Sequence, residues 1–115
     1  KLERMNAVVL GNPDAHPFYG APTAVVVFAD TQVPTYMQDG SLVLGTMLLA
    51  ASSIGLGSCW INRAKESFQS EEGKALMRKW GLADTYEGIG ICILGYVKGE
   101  IPVPKARKED YIVMA

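Results

Sequence analysis

The chain has 115 residues, enough for one domain around a single core, and its composition is ordinary for a globular protein, 49% hydrophobic and 20% charged. A formal net charge of −1 provides no field to draw nucleic acid or an anionic membrane surface. The single histidine, His16, excludes a multi-histidine metal centre.

Lys1 to Leu10 carries Leu2, Met5 and Val8 or Val9 at helical spacing and reads as the end of a helix. It begins without a capping residue, so the chain is expected to be a piece of a longer one. Gly11 to Pro22 is turn chemistry, with three prolines and two glycines. Thr23 to Ala29 (TAVVVFA) is an unbroken β-branched and aromatic run, the mark of a strand covered on both faces. Asp30 to Gln38 is a connection broken by Pro34.

Between Asp39 and Arg63 there is no charge at all. Asp39 is expected to cap a helix, its carboxylate accepting free backbone N–H groups. Ser41 to Ile54 is apolar or small on every face, which predicts a helix buried all round. The length of the run invites a membrane span. Thr46, Ser52, Ser53, Ser58, two glycines and the lack of a flanking basic cluster argue against it, and a core helix shared between two subunits fits better. Gly55 and Gly57 end the helix, and Ser58 to Ile61 follows as a short strand.

Ala64 to Gln69 has room for one helical turn. Ser70 to Trp80 predicts an amphipathic helix with Ala75, Leu76 and Trp80 inward. Glu71 and Glu72 stand in its first turn and Arg78 and Lys79 in its last, which suits the helix dipole. Tyr86 to Val97 reads as a second buried strand. Glu100 to Lys108 is extended because of its two prolines, and Tyr111 to Met114 can form a last strand, in this sheet or a partner's. Strand, long helix, strand, helix, strand predicts an α/β arrangement with at least partly parallel pairing.

Few residues carry a chemical signal. Gly55-Leu56-Gly57 has the wrong order for a dinucleotide fingerprint, since the helix precedes the glycines instead of following them. Small residues leading into Cys59, Trp60 and Ile61 can let a planar ring lie against main chain. The alternative is a core Trp60 with a buried, inert Cys59. Lys105 and Arg107 are two apart in an extended segment and project together, which suits a phosphate, or equally a solvated basic turn. Cys59 and Cys92 sit in separate apolar runs without C-x-x-C, so neither a disulfide framework nor a zinc site is indicated, and a cytoplasmic location is expected.

Five stretches together resemble the FMN-dependent nitroreductase family: FYGAPTAVVVFAD (Phe18 to Asp30), QDGSLVLGTMLLAASSIGLGSCWINRAKE (Gln38 to Glu66), SEEGKALMRKWGL (Ser70 to Leu82), YEGIGICILGY (Tyr86 to Tyr96) and PKARKEDYI (Pro104 to Ile112). The resemblance implies an α+β fold, a mixed sheet flanked by helices, and a homodimer built on the long charge-free helix with a C-terminal extension crossing to the partner. It implies FMN, with the isoalloxazine ring near Cys59, Trp60, Ile61 and Asn62 and the phosphate at Lys105 and Arg107. Arg63 lies close to this site or in a structural ion pair. The implied activity is ping-pong transfer of a hydride from NAD(P)H through flavin N5 to a nitroaromatic, quinone or similar small acceptor. No catalytic side chain is required, and neither a metal, a nucleic acid nor a membrane is implied. Members also carry an arginine- and serine-rich segment near their N-terminus that grips the phosphate. Residues 1–19 do not match it, so the chain is expected to be one nitroreductase-like domain, 1–115, corresponding to the C-terminal two-thirds of a member. The alternatives are a flavin-binding or dimerisation module without turnover, and a thiol-based redox protein using Cys59 and Cys92.

Overall fold

A computed structural model describes residues 1–101 and 103–114. The chain folds as α1 (Leu2–Val9), β1 (Thr23–Asp30), α2 (Tyr36–Ser53), β2 (Gly57–Ile61), α3 (Ala64–Gln69), α4 (Glu71–Lys79) and β3 (Tyr86–Gly95). The fold is α+β. The three strands form one sheet in the order β1-β3-β2, and both pairings are antiparallel.

The expected parallel pairing is therefore corrected. β1, α2 and β2 do form a crossover in which the two strands run the same way. The last strand, β3, then inserts between them and takes the hydrogen bonds on both sides. As the central strand it is covered on both faces, which is why its sequence is apolar almost without alternation.

Each face of the sheet carries its own core. On one face Val25, Val27, Cys92, Leu94 and Trp60 pack under α2. On the other, Ala24, Val26, Ile91, Ile93 and Ile61 meet Phe18, Leu2 and Ala64. Met5, Phe68, Met77 and Phe28 extend that second core between α1, α3 and α4. The register shifts between Val27 and Phe28, leaving Ile89 of β3 without a partner across the pair. This bulge sets Ile89 against α2, where its Cγ1 would stand 2.6 Å from a Cβ on Gly40. Glycine at 40 is what lets the helix come this close.

Helix α2 starts before Asp39, a second correction. Pro34 precedes it and Thr35 takes the N-cap position. The Thr35 hydroxyl donates to the Asp39 carboxylate (2.8 Å) and makes no capping bond to the backbone. Nor is α2 buried all round within the chain. Gly40, Leu44 and Ala51 are buried, with Met47 and Leu48 beside them, while Leu42 is 70% exposed, Leu49 75% and Ile54 72%. A single sheet face can cover only one side of a cylinder.

Ser70 caps α4, its Oγ accepting from the Gly73 N–H at 3.1 Å and donating to the Ser67 carbonyl at 2.6 Å. Gly73 and Met77 are the buried positions of α4, and Ala75, expected inward, is exposed. Trp80 is 47% exposed but packs its inner side near Phe28 and Phe68, with ring centroids 6.3 and 5.9 Å away. The extended stretch expected over Glu100 to Lys108 includes Pro102, which lies outside the described residues; the rest of it has no regular structure. Tyr111 to Met114 forms no strand, and all four side chains are exposed. No helix among the described residues is long and apolar enough to cross a membrane.

Candidate functional site

The sheet order leaves β2 at an edge. One side of its backbone pairs with β3 and the other presents N–H and C=O groups that no strand takes up. Cys59, Trp60 and Ile61 belong to this strand, and Asn62 follows it directly. Four of the six expected site residues are thus consecutive along one open main-chain edge.

Their side chains go separate ways, as the period of two requires. Ile61 is buried in the core beneath α3. Trp60 points to the opposite face, where it packs with Leu44, Val27 and Cys92, so it is a core residue, and its indole N–H is buried with no acceptor. Cys59 is exposed, so the alternative of a core Trp60 beside a buried thiol holds for the tryptophan and not for the cysteine. It lines a groove of about 380 Å³ with Gly57, Ser58, Tyr19, Pro22 and Lys98. The register sets Cys59 opposite Ile93 and Cys92 opposite Trp60, so the two thiols stand on opposite faces of the sheet and cannot act as a dithiol pair. Burial pushes the Cys92 thiol up, with a smaller contribution from Cys59.

At the end of β2 the chain turns sharply. Arg63 adopts the left-handed conformation (φ 66°, ψ 26°), uncommon for a residue with a side chain. The Asn62 carbonyl accepts from Asn6 Nδ2 at 2.8 Å, and the Arg63 carbonyl accepts from the Ser67 N–H at 3.0 Å. Neither residue of this turn is buried, and among the described residues no ion pair involves Arg63. Asn6 escapes sequence reading because it sits on the same apolar stripe as Leu2 and Met5. The one signal was a polar residue at an inward helical position.

Lys105 and Arg107 lie in the irregular segment after β3, and both are exposed. Arg107 lines a cavity of about 620 Å³ with Lys108, Asp110, Tyr111 and Ile112, which shares no residue with the groove at Cys59. Within one chain the basic pair and the β2 edge do not share a cavity. A separate cavity of about 530 Å³ opens between α3, α4 and the start of β3. There Lys65 Nζ meets Glu87 Oε2 at 2.9 Å, and the Tyr36 hydroxyl donates to Glu87 Oε1 at 3.2 Å. Its hydrogen bond to Glu87 and the carboxylate charge push the Lys65 ammonium up from 10.5. No cluster of His, Cys, Asp or Glu among the described residues could hold a metal ion.

None of the curated proteins matches the chain in sequence. Among solved structures it is similar to a nitroreductase with bound FMN from Bacteroides fragilis, with TM-score 0.81 and 26% identity, covering 98% of this chain and 67% of that one. A nitroreductase with bound FMN from Desulfitobacterium hafniense shares the fold at TM-score 0.80 and 23% identity, over 99% of this chain and 68% of that one. A nitroreductase family protein from Clostridium difficile matches at TM-score 0.57 and 27% identity, over 86% and 58% of the two chains. The chain therefore spans about two thirds of the first two. The sequence model of the nitroreductase family matches residues 6–96, from the buried Asn6 of α1 through both edges of the sheet to the end of β3, and the chain belongs to that family.

Proposed function

We propose that the protein is an FMN-dependent oxidoreductase, working as a homodimer with NAD(P)H as reductant and a nitroaromatic, quinone or similar small molecule as acceptor. The observation that carries this reading is the open edge of β2 and its turn at Asn62 and Arg63, in a chain of the nitroreductase family whose fold is that of proteins crystallised with FMN.

The residues present fit the group. A planar heterocycle rimmed with carbonyl and ring-nitrogen atoms needs main-chain donors and acceptors along a line, and an edge strand offers them. The backbone of Cys59, Trp60, Ile61 and Asn62 would hold the ring. Lys105 and Arg107 would hold the phosphate, arginine as a planar fork and lysine as a point charge. When bound, FMN would supply the redox chemistry, a two-electron exchange between NAD(P)H and the acceptor in a ping-pong cycle. The side chains then need only orient the ring and exclude water.

The outward face of α2 supports the dimer. Leu42, Val43, Leu49 and Ile54 lie exposed on a helix that has no charge after Asp39, as expected of a surface awaiting a second copy. The segment after β3 would cross such an interface and bring Lys105 and Arg107 to the partner's β2 edge, joining what one chain keeps apart. Two free thiols agree with a reducing cytoplasm.

The test is anaerobic reduction of the FMN-loaded protein. The flavin band should bleach on addition of NADH or NADPH and return, without release of flavin, on addition of a nitroaromatic or quinone. Bound flavin that neither nicotinamide bleaches would overturn the oxidoreductase reading and leave a flavin-binding module.

A further inference from the structure

We propose that Asn6 is a positioning residue of the ring-binding edge, fixing the peptide between Asn62 and Arg63 so that the Arg63 N–H is presented outward as a hydrogen-bond donor; this rests on the flavin reading above.

Asn6 is 1% exposed, and its Nδ2 donates to the Asn62 carbonyl at 2.8 Å across 56 residues of sequence. An amide buried this deeply is costly unless paired, so the bond selects one orientation of that carbonyl. The peptide is trans, as there is no cis bond in the described chain, and in a trans peptide C=O and N–H point in opposite directions. With the Asn62 oxygen turned in toward α1, the Arg63 N–H is turned away from it. Among the described residues that N–H finds no acceptor.

The far side of the turn is held as well. The Arg63 carbonyl accepts from the Ser67 N–H at 3.0 Å, and Ala64, the first residue of α3, is fully buried. A Cβ on Gly88 would come within 3.0 Å of the Ala64 backbone, so β3 has no side chain there to push the turn outward. The left-handed Arg63 (φ 66°) sits between these two anchors. Such strain persists where the surroundings over-determine it, and it accompanies preorganised binding sites. The result is a donor at the end of an edge strand whose direction is set before any ligand arrives, which is the condition for favouring electron-rich atoms of a planar ring.

The measurement is an FMN titration of the full-length protein, wild type against Asn6→Leu and Asn6→Asp, followed by visible absorption and by the Arg63 amide resonance in ¹H–¹⁵N spectra. In the wild type, FMN moves the Arg63 amide proton downfield. In both variants binding weakens by about tenfold, the size of one lost charge-free hydrogen bond at the site, and the Arg63 shift shrinks. A role in folding alone would lower the melting temperature and leave the Arg63 response to bound FMN intact, which would overturn the proposal. So would wild-type affinity in Asn6→Leu. If neither variant folds, the wild-type titration decides, because bound FMN that leaves the Arg63 amide unmoved also overturns it. A wild-type protein that binds no FMN refutes the flavin reading itself and the role of Asn6 with it.

Discussion

A Cβ placed on Gly90 would stand 2.5 Å from the Trp60 indole nitrogen and 2.7 Å from Leu44 Cδ1. The indole of the edge strand thus lies across the central strand, in space that any side chain at position 90 would occupy, and α2 closes over it. Gly90→Ala is expected to destabilise the protein by about 1–3 kcal/mol through overpacking. A urea midpoint unchanged by the substitution would show that Trp60 is not seated there.

The two thiols should separate cleanly by reactivity. Cys59 is exposed, whereas Cys92 is buried and its thiol is pushed up, so it stays neutral and unreactive. Native protein is expected to take up one equivalent of iodoacetamide per chain, at Cys59, and a second only on unfolding. Saturating FMN should slow the first reaction. Rapid labelling of Cys92 in the native state would contradict the packing of the core under α2.

The outer face of α2 gives a prediction about assembly. Leu49→Glu puts a charge in the middle of an apolar surface while leaving Leu44 and Ala51, on the sheet side, untouched. Sedimentation should report a dimer for the wild type and a monomer for the variant. A variant that remains dimeric would place the interface elsewhere.

Lys65 and Glu87 predict a pH dependence. The folded state holds the Lys65 ammonium above its ordinary 10.5, first through the hydrogen bond to Glu87 and then through its charge. Its stabilisation is complete below pH 10.5 and is lost as pH climbs through the higher folded value. The pair is exposed on the lysine side, so the effect is small. Lys65→Met should therefore remove part of the alkaline fall in stability and leave the neutral range nearly flat. An alkaline fall in stability that is the same in variant and wild type would contradict it.

Local chemistry made much of this fold readable in advance. Thr23 to Ala29 and Tyr86 to Val97 declare themselves as strands by their largely apolar runs, though the second ends at Gly95 and leaves Tyr96 and Val97 exposed, and Ser70 with its flanking charges marks α4 at both ends. The order β1-β3-β2 was not readable, because nothing in the composition of β3 says that it inserts between two strands of a finished crossover. The start of α2 was misplaced for a related reason. Asp39 has the chemistry of a cap, but Pro34 and Thr35 end the preceding turn first. For the candidate site, small residues before an aromatic drew attention to the β2 segment and charge to Lys105 and Arg107, while the set from Cys59 to Asn62 came from the family resemblance. The Asn6 link was hidden, since a polar residue at an inward helical position does not say which carbonyl, 56 residues away, it will bind.

The central claim is that the β2 edge and the Lys105 and Arg107 pair bind FMN together. The most direct measurement is the visible absorption spectrum of the full-length protein on titration with FMN, for the wild type and for the double substitution Lys105→Ala, Arg107→Ala. The account predicts a bound-flavin band in the wild type and at least about tenfold weaker binding in the double variant, more so at low salt, where phosphate contacts are least screened. A wild-type spectrum without bound flavin, or a double variant that binds as tightly as the wild type, would contradict it.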